Sequence, residues 1–132
     1  MSAGYSGTPL PQKLGIKPNH RIGAYNPPPN LSEILPGLEI EPLEPSGRFD
    51  IVLAFYVQRQ DLEDSIQGLS ETIEKNGSVW VCWPKRASKI PTDVLEQTLR
   101  DVILPMGLVD NKVCAVDEVW SGLRFVWRVE LR

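Results

Sequence analysis

The chain has 132 residues, a length that suits one domain with one hydrophobic core. Apolar residues make up 42% of the sequence and charged residues 23%, the balance of an ordinary soluble globular protein, and the net charge of -3 argues against a mainly electrostatic nucleic-acid binder. No apolar run is long enough to span a bilayer and no charged leader precedes an apolar stretch, so a cytoplasmic protein without membrane attachment is expected.

The proline distribution divides the chain into two parts. Nine of the twelve prolines fall in the first 45 residues, so short elements joined by turns are expected there. Residues 1–7 are expected to be flexible, and residues 8–47 form a proline-rich N-terminal part. The elements predicted in that part are a short helix over 9–14, a strand over 21–25, one or two helical turns capped by Asn30, and an edge strand over 38–41.

Residues 48–132 carry the clearer periodicity of a regular α/β unit. Nearly unbroken apolar runs predict buried strands, while apolar residues at helical spacing predict amphipathic helices. The predicted order is a strand over 49–57, a helix from Asp61 to Lys75 stopped by Asn76 and Gly77, a strand over 79–83, a helix opened by Thr92 or Asp93 and ended by Pro105, a strand over 113–116, and a strand from Leu123 to Arg132 after a Ser121-Gly122 turn.

The alternation of strands and helices predicts the fold class. Strand, helix, strand, helix, strand implies right-handed crossovers, a mainly parallel twisted sheet and helices on both of its faces. The last strand follows its predecessor after a very short turn, so it must run antiparallel. One three-layer α/β domain over residues 1–132, ending in an antiparallel C-terminal strand, is therefore expected.

Cysteine and histidine usage argues against metal binding and against a recognisable nucleophile. Cys82 and Cys114 each lie within an apolar run, which predicts two buried, reduced and dispensable thiols. His20 is the only histidine and the sequence has no Cys-x-x-Cys pair, so no metal site is expected. No Ser-His-Asp or Cys-His grouping can be read either, so the sequence identifies no catalytic residue.

The run from Leu14 to Ile22 resembles the segment that leads into the first strand of class I methyltransferases. The order of elements, with its antiparallel last strand, is also similar to that Rossmann-like fold, reduced by one strand and one helix. The resemblance implies S-adenosylmethionine (SAM) as a cofactor. In that family a glycine-rich loop follows the first strand, and an acidic residue at the end of the second strand holds the ribose hydroxyls.

Two features of the sequence depart from the methyltransferase pattern. Asn26 is followed by Pro27, Pro28 and Pro29, which remove amide donors and stiffen the turn where glycines are expected. Glu41 stands where the ribose-binding acid is expected, but Pro42 follows it. No cofactor is therefore predicted, and tight SAM binding is not expected.

A second, closer resemblance covers nearly the whole chain. It rests on Gly4 to Leu10, Trp83 to Lys85, Pro91 to Asp93 and Gly107 to Phe125, and within the last segment the run from Asp110 to Leu123 is specific. These segments look like those of a small bacterial domain family of unknown function. The resemblance implies a stand-alone bacterial domain and carries no mechanism.

Ligand-binding candidates lie where the strands end, because parallel strands share one carboxyl edge in such folds. The loop after the 79–83 strand has cations just before a predicted helix N-terminus, whose free amides suit phosphate or carboxylate. The predicted anion or ligand site comprises Lys85, Arg86, Ser88, Lys89 and Thr92, with Asn26 and Gln58 at the same edge. The alternative is a solvated basic loop in which Asp93 itself occupies the helix cap.

A second candidate site comprises Asp117, Glu118 and Arg124. Adjacent residues of a strand point to opposite faces, so Asp117 and Glu118 do not form a catalytic pair by spacing alone. The alternative is a structural ion pair between one of these carboxylates and Lys112 or Arg124.

Three functions are compatible with the sequence. The first is a non-catalytic or weakly catalytic domain that binds a small anionic ligand or a protein partner at the carboxyl edge of the strands. The second is a divergent SAM-dependent enzyme. The third is a structural interaction subunit that uses an exposed face of the last strand. An open pocket beside Asn26 and Gln58 favours the first two, and a filled edge with an exposed apolar patch favours the third.

Overall fold

The structure, a computed structural model, describes residues 7–132. The flexibility predicted for residues 1–7 therefore concerns a segment that lies almost wholly outside the described residues. The longest helix in the described part has 12 residues and is too short to cross a bilayer. The helices are α1 (Leu10–Lys13), α2 (Leu31–Ile34), α3 (Arg59–Ser70) and α4 (Glu96–Ile103), and the strands are β1 (Ile22–Tyr25), β2 (Ile40–Pro42), β3 (Phe49–Phe55), β4 (Ile73–Pro84), β5 (Leu108–Ala115) and β6 (Trp120–Trp127).

The six strands form one sheet in the order β2-β1-β3-β4-β6-β5. Strands β1 to β4 pair in parallel, whereas β6 lies between β4 and β5 and is antiparallel to both. This arrangement confirms the predicted fold class, a mainly parallel α/β sheet with an antiparallel C-terminal strand. It also removes the basis of the third function, because β6 lies inside the sheet and most of its residues are buried.

Helices cover both faces of the sheet, as the three-layer prediction requires. On one face, here called the α3/α4 face, Leu62 and Ile66 of α3 pack with Leu99 of α4 and with every second residue of β3 and β4. On the opposite face, here called the N-terminal face, Leu14 and Leu35 follow the short helices α1 and α2 and pack on the alternate strand residues. The N-terminal face therefore has much less helix above it.

Trp80 anchors the N-terminal segment to the sheet. Its side chain is 0% exposed within the core of the N-terminal face. The indole Nε1–H donates a hydrogen bond of 2.9 Å to the carbonyl oxygen of Leu14, 66 residues earlier in the chain. The bond fixes the end of α1 above the centre of β4, so the loop-rich N-terminal part is tied to the regular part at this point.

The helix predicted to reach Lys75 is wrong at its C-terminal end. Helix α3 ends at Ser70, and Ile73 already belongs to β4. The hydroxyls of Ser70 and Thr72 donate to the carbonyls of Gln67 and Leu69, each at 2.7 Å, and so terminate the last turn. Residues 76–77, predicted to stop the helix, lie within the strand instead.

The start predicted for the next helix is also wrong. Helix α4 begins at Glu96, with Leu95 at its N-cap position rather than Thr92 or Asp93. The backbone N–H of Leu95 donates to Oγ1 of Thr98 at 3.1 Å. Thr92 and Asp93 have hydrogen bonds to Val57 and Arg59 instead and therefore do not begin the helix.

The C-terminal hairpin differs from the prediction in its turn and its length. Strand β5 begins at Leu108 rather than at residue 113, and Ser121 and Gly122 lie within β6 rather than in the turn. Strand β6 ends at Trp127 instead of continuing to Arg132, whose Nε donates to the Trp127 carbonyl at 2.9 Å. The chain turns away there into a single 3₁₀ turn over residues 129–131.

Candidate functional site

The carboxyl edge of the sheet holds most of the predicted site residues, although they do not form one site. Asn26 follows β1 and adopts a left-handed backbone with φ of 53°. Its side-chain amide donates to the Phe55 carbonyl at 3.3 Å and so bridges the ends of β1 and β3. Gln58 is exposed and occupies the N-cap position of α3, with no capping hydrogen bond from its side chain.

A crevice opens between the ends of β1 and β2, where the related fold would hold the ribose of SAM. Its volume is about 380 Å³, and Asn26, Pro27 and Glu41 line it together with mostly apolar residues. Both oxygens of the Glu41 carboxylate accept hydrogen bonds from Arg21, at 2.8 Å from Nε and 2.9 Å from Nη2. These bonds hold the pKa of Glu41 below its usual value.

The residues of this crevice do not fit SAM. The carboxylate of Glu41 is already bound on both oxygens by a guanidinium, which competes with ribose hydroxyls for it. Pro27, Pro28 and Pro29 offer no backbone N–H to a ligand. An open space beside Asn26 exists, but it lacks the donors and the acceptor that the fold family uses.

Two tyrosines fill the neighbouring edge between β1, β3 and α3. The Tyr25 hydroxyl donates to Oδ1 of Asp61 at 2.7 Å, and the Tyr56 hydroxyl lies 2.7 Å from Oγ of Ser65. The hydrogen bond to Asp61 raises the pKa of Tyr25, and burial raises that of Tyr56, so both phenols are neutral at physiological pH. Their rings lie 5.5 Å apart and pack this part of the edge.

The basic loop between β4 and α4 lacks the helix amides on which the predicted anion site relied. Asp93 accepts a hydrogen bond of 2.7 Å from the backbone N–H of Arg59, so it caps α3 rather than α4. Thr92 donates from its hydroxyl to the Val57 carbonyl and accepts from the Val94 N–H. Both residues therefore tie the loop to the end of β3, and the first helical amides of α4 lie further along the chain.

The remaining residues of that loop form a local turn. Ser88 donates from its hydroxyl to the Lys85 carbonyl at 2.6 Å and accepts from the Ile90 N–H at 3.3 Å. Arg86 and Lys89 are exposed, and Lys89 has a left-handed backbone with φ of 61°. The binding role of these residues stays a prediction, and the alternative of a solvated basic loop agrees with their exposure.

The second candidate site is not a pair of strand residues. Asp117 and Glu118 lie in the turn between β5 and β6, where Oδ1 of Asp117 accepts from the N–H groups of Val119 and Trp120 at 2.8 and 2.7 Å. Glu118 is exposed. Arg124 lies within β6, opposite Trp80 of β4, and is not brought next to either carboxylate. The predicted ion pair between one of these carboxylates and Lys112 or Arg124 is not found among the described residues, although Asp117 has a structural role in the turn.

A cleft above the β5–β6 hairpin collects cations that the sequence did not connect. Its volume is about 570 Å³, and we call it the lysine cleft. Lys112 of β5 reaches across it and donates from Nζ to the Lys13 carbonyl of α1 at 3.0 Å. The lining of the cleft includes Thr8, Lys13, Lys112, Cys114 and Ser121.

The pKa of the Cys114 thiol depends on the positive charges near the lysine cleft. Burial raises this pKa, while the charges of Lys13, Lys112 and Lys85 oppose that rise. Of these lysines, Lys13 and Lys112 line the cleft together with the half-buried Cys114, whereas Lys85 follows the end of β4 and is not part of the lining.

Gly122 allows close packing beneath the β5–β6 hairpin. It lies between Cys82 of β4 and Cys114 of β5 in the register of the sheet. A Cβ atom added there would lie 3.2 Å from both Trp80 and Val116 and 3.6 Å from the Cys82 sulfur. The absence of a side chain at this position therefore lets Trp80, Val116 and the Cys82 thiol pack closely against β6 on the N-terminal face.

The lysine cleft continues into a second cavity of about 420 Å³. Thr8, Lys13 and Ala115 line both cavities, so the two are contiguous. The second cavity adds carboxylates, because Glu33, Asp117 and Glu118 line it. The continuous groove therefore has a basic end over β5 and an acidic end over the β5–β6 turn.

Sequence reasoning missed Lys13, Lys112, Thr8 and Ser121 as site residues. Lys13 and Lys112 are 99 residues apart, and they meet only because α1 crosses above β5. Two signals were present in the sequence. Lys112 directly precedes the apolar run of a predicted strand, and Gly122 lies close to the start of the next one. A glycine within a strand often marks close approach of a ligand or another backbone.

The two cysteines are not equivalent, which corrects the prediction that both are buried. Cys82 is 1% exposed, whereas Cys114 is half-buried, and both are free thiols. We expect a thiol reagent to modify Cys114 in the folded protein and to leave Cys82 unmodified. Because burial raises the pKa of Cys114, its labelling rate should still be rising above the pH at which a free cysteine has reached its plateau.

The measurement is a labelling time course across pH, with Cys114→Ala as the matched variant that isolates Cys82. Rapid modification of native Cys114→Ala would contradict the burial of Cys82. A labelling rate for the wild type that levels off below the ordinary thiol pKa would contradict the direction of the shift.

The sheet order and the antiparallel β6 define a methyltransferase-like α/β fold. The structure of the LepI complex with SAM matches with a TM-score of 0.55 and 12% identity, over 90% of this chain and 39% of that chain. The Methanococcus jannaschii fibrillarin pre-rRNA processing protein matches with a TM-score of 0.55 and 10% identity, over 92% of this chain and 70% of that chain. Magnesium protoporphyrin IX methyltransferase from Synechocystis PCC 6803, with bound SAM, matches with a TM-score of 0.50 and 12% identity, over 74% and 50% of the two chains.

These similarities concern the fold alone. No protein-family model matches the chain, and no curated protein matches it. Membership of the uncharacterised bacterial family therefore stays a prediction. The chain spans 39% of the length of the LepI chain.

Proposed function

We propose that this protein is a non-catalytic or weakly catalytic domain that binds a small anionic ligand in the lysine cleft. The observation that carries the proposal is that Lys13 and Lys112 line one cleft and are joined across it by the hydrogen bond from Lys112 Nζ to the Lys13 carbonyl. An anion in the cleft gains favourable interactions with both ammonium groups. Thr8 and Ser121 add hydroxyl donors to the same cleft.

The size and the position of the cleft support the same proposal. Its volume of about 570 Å³ falls within the range of ordinary ligand pockets. It lies over the carboxyl half of β5, beside the edge where open α/β sheets bind their ligands. The net charge of -3 makes this basic region a local exception on an acidic protein, which favours a specific small anion over nucleic acid.

The experiment is a thermal-shift titration with inorganic phosphate, nucleotides and phosphorylated metabolites, each balanced with chloride to constant ionic strength. We expect at least one anion to raise the melting temperature of the wild type by mass action. The variant Lys13→Met/Lys112→Met should lose that increase, because it removes both ammonium groups of the cleft lining and keeps most of the length of the side chains. Equal stabilisation of wild type and double variant would contradict binding in the cleft.

Two matched controls separate the cleft from other basic regions. Lys75→Met removes a lysine at the opposite edge of the sheet and should retain the full ligand-dependent increase. Lys89→Met tests the loop site predicted from the sequence. Loss of the increase in Lys89→Met, with retention in the cleft variant, would place the anion on the loop instead.

A second candidate, a divergent SAM-dependent enzyme, is favoured by the fold. The LepI and magnesium protoporphyrin IX methyltransferase structures contain SAM on the same type of sheet. The crevice between β1 and β2 argues against SAM binding by this protein, because Arg21 binds the Glu41 carboxylate and prolines replace the glycine-rich loop.

We therefore expect no tight SAM binding. Isothermal titration of the wild type with SAM should give no saturable heat at micromolar protein, under conditions in which a SAM-binding methyltransferase does. Arg21→Ala serves as a second sample, because it frees the Glu41 carboxylate but leaves the prolines in place, and it should also fail to bind. A micromolar dissociation constant for the wild type would overturn the expectation and favour the enzyme.

A further inference from the structure

The groove formed by the lysine cleft and the second cavity carries opposite charges at its two ends. Lys112 lines the first cavity, and Lys13 lines both cavities and therefore lies where they join. Among the residues that the structure describes, no carboxylate lines the first cavity. The lining of the second cavity has three carboxylates, those of Glu33, Asp117 and Glu118. The charge of the lining therefore changes sign along one continuous groove.

The distribution of charge determines what kind of ligand can occupy the whole groove. Two ammonium groups and three carboxylates line it. An anion that extended over both cavities would be attracted at the lysines and repelled at the carboxylates, and a cation would meet the opposite difficulty. Only a ligand with a negative charge at one end and a positive charge at the other finds an opposite charge in each cavity.

The carboxylates of the second cavity are accessible to a ligand. Glu33 lies in the first turn of α2 and Glu118 in the β5–β6 turn, and both are exposed. Neither forms an ion pair with another residue of the range 7–132. Asp117 uses Oδ1 to hold the turn, while its Oδ2 has no hydrogen bond within the same range. Two separate elements thus present carboxylate oxygens to one cavity.

The second cavity also has apolar side chains in its lining. Val116 is 8% exposed, and the other apolar side chains are half-buried. An aliphatic segment that connects the two charged groups of a ligand can bury its surface against them, which favours binding. The side chains concerned are Leu10, Ile34, Val116 and Val119.

We propose that the groove binds an elongated zwitterion of the ω-amino acid or aminoalkyl phosphate class. The carboxylate or phosphate group lies between Lys13 and Lys112, the ammonium group lies at Glu33 and Glu118, and the aliphatic segment connects them. This inference rests on the proposed function, because the anionic group occupies the lysine cleft. It adds a positive charge as the feature by which the protein distinguishes its ligand from other anions.

The test is a thermal-shift titration with matched compounds at constant ionic strength. Aminocaproate carries both charges, caproate only the negative charge and hexylamine only the positive charge. Aminohexyl phosphate and hexyl phosphate repeat the comparison with the other anionic group, and longer homologues determine the span of the site. We expect saturable stabilisation by a zwitterion, with a dissociation constant roughly three- to tenfold lower than that of its matched anion, as one or two exposed charge pairs would give.

Matched variants assign the preference to the two ends of the groove. Glu33→Gln/Glu118→Gln should bind the zwitterion and its matched anion with similar affinity, because it removes two carboxylates and keeps the lysines. Lys13→Met/Lys112→Met should lose the binding of both compounds. Glu71→Gln/Glu74→Gln removes two exposed carboxylates that do not line the groove, and it should keep the preference of the wild type.

The results separate this inference from the function on which it rests. Equal affinity of the wild type for zwitterion and matched anion would overturn the inference and leave anion binding in the lysine cleft intact. Retention of the preference in Glu33→Gln/Glu118→Gln would also overturn it. If no anion and no zwitterion stabilises the wild type, both the inference and the proposed function are wrong. A preference in only one of the two series supports the inference and identifies the anionic group as carboxylate or phosphate.

Discussion

Replacing Trp80 with alanine is expected to lower the free energy of unfolding by about 3–5 kcal/mol, a large part of the stability of a domain of this size. The indole is 0% exposed and fills the centre of the core on the N-terminal face. Its removal leaves a cavity that the two four-residue helices above it cannot close. The measurement is urea unfolding followed by far-ultraviolet circular dichroism, which does not depend on the deleted tryptophan.

Two companion variants separate packing from hydrogen bonding. Trp80→Phe keeps most of the apolar volume but leaves the Leu14 carbonyl without its donor, so a loss of about 1–3 kcal/mol is expected. In that variant the segment before residue 15 should also become more sensitive to protease, because its bond to β4 is lost. Trp127→Ala removes a half-buried indole and should cost less than Trp80→Ala. A loss below about 1 kcal/mol for Trp80→Ala would contradict the central role of this side chain.

Replacing Asp117 with alanine is expected to lower the free energy of unfolding by about 1–3 kcal/mol, because two backbone N–H groups lose their acceptor. One oxygen of Asp117 accepts from both Val119 and Trp120 and so defines the turn that leads β5 into β6. Trp120 packs edge-on against Phe55 at 5.2 Å between ring centres, so a disordered turn also loosens the core of the N-terminal face.

Asp117→Asn is the matched control, because it keeps an oxygen at the same position and removes only the charge. It should unfold within about 0.5 kcal/mol of the wild type, as substitutions that keep the essential contact usually do. A destabilisation equal to that of Asp117→Ala would show that the negative charge matters. Asp117 would then have an ionic or functional role instead of the turn-forming role that the structure supports.

The sequence predicted those elements whose pattern is local. The unbroken apolar run of β3 and the helical spacing of Leu62, Ile66 and Leu69 were sufficient to place a buried strand and the helix after it. The position of β6 between β4 and β5 is a matter of pairing between distant segments, and no local pattern encodes it.

The predicted helix boundaries are wrong where the capping residues bind to another part of the chain. Asp93 has the chemistry of an N-cap and does cap a helix, but the helix is α3, which begins 34 residues earlier. The lysine cleft was not predicted from the sequence for a similar reason. Lys13 comes from the proline-rich part and Lys112 from an edge strand, and only the crossing of α1 over the sheet brings them together.

The insertion of β6 between β4 and β5 has a consequence for how the protein is made. As the chain leaves the ribosome, β5 emerges before the strand that must separate it from β4. Until β6 follows, β5 has no partner in the sheet and β4 exposes a long row of unpaired peptide groups. Nascent chains that have emerged from the ribosome only as far as about residue 118 should therefore be the species most prone to aggregation and most dependent on chaperones, although four parallel-paired strands are already complete.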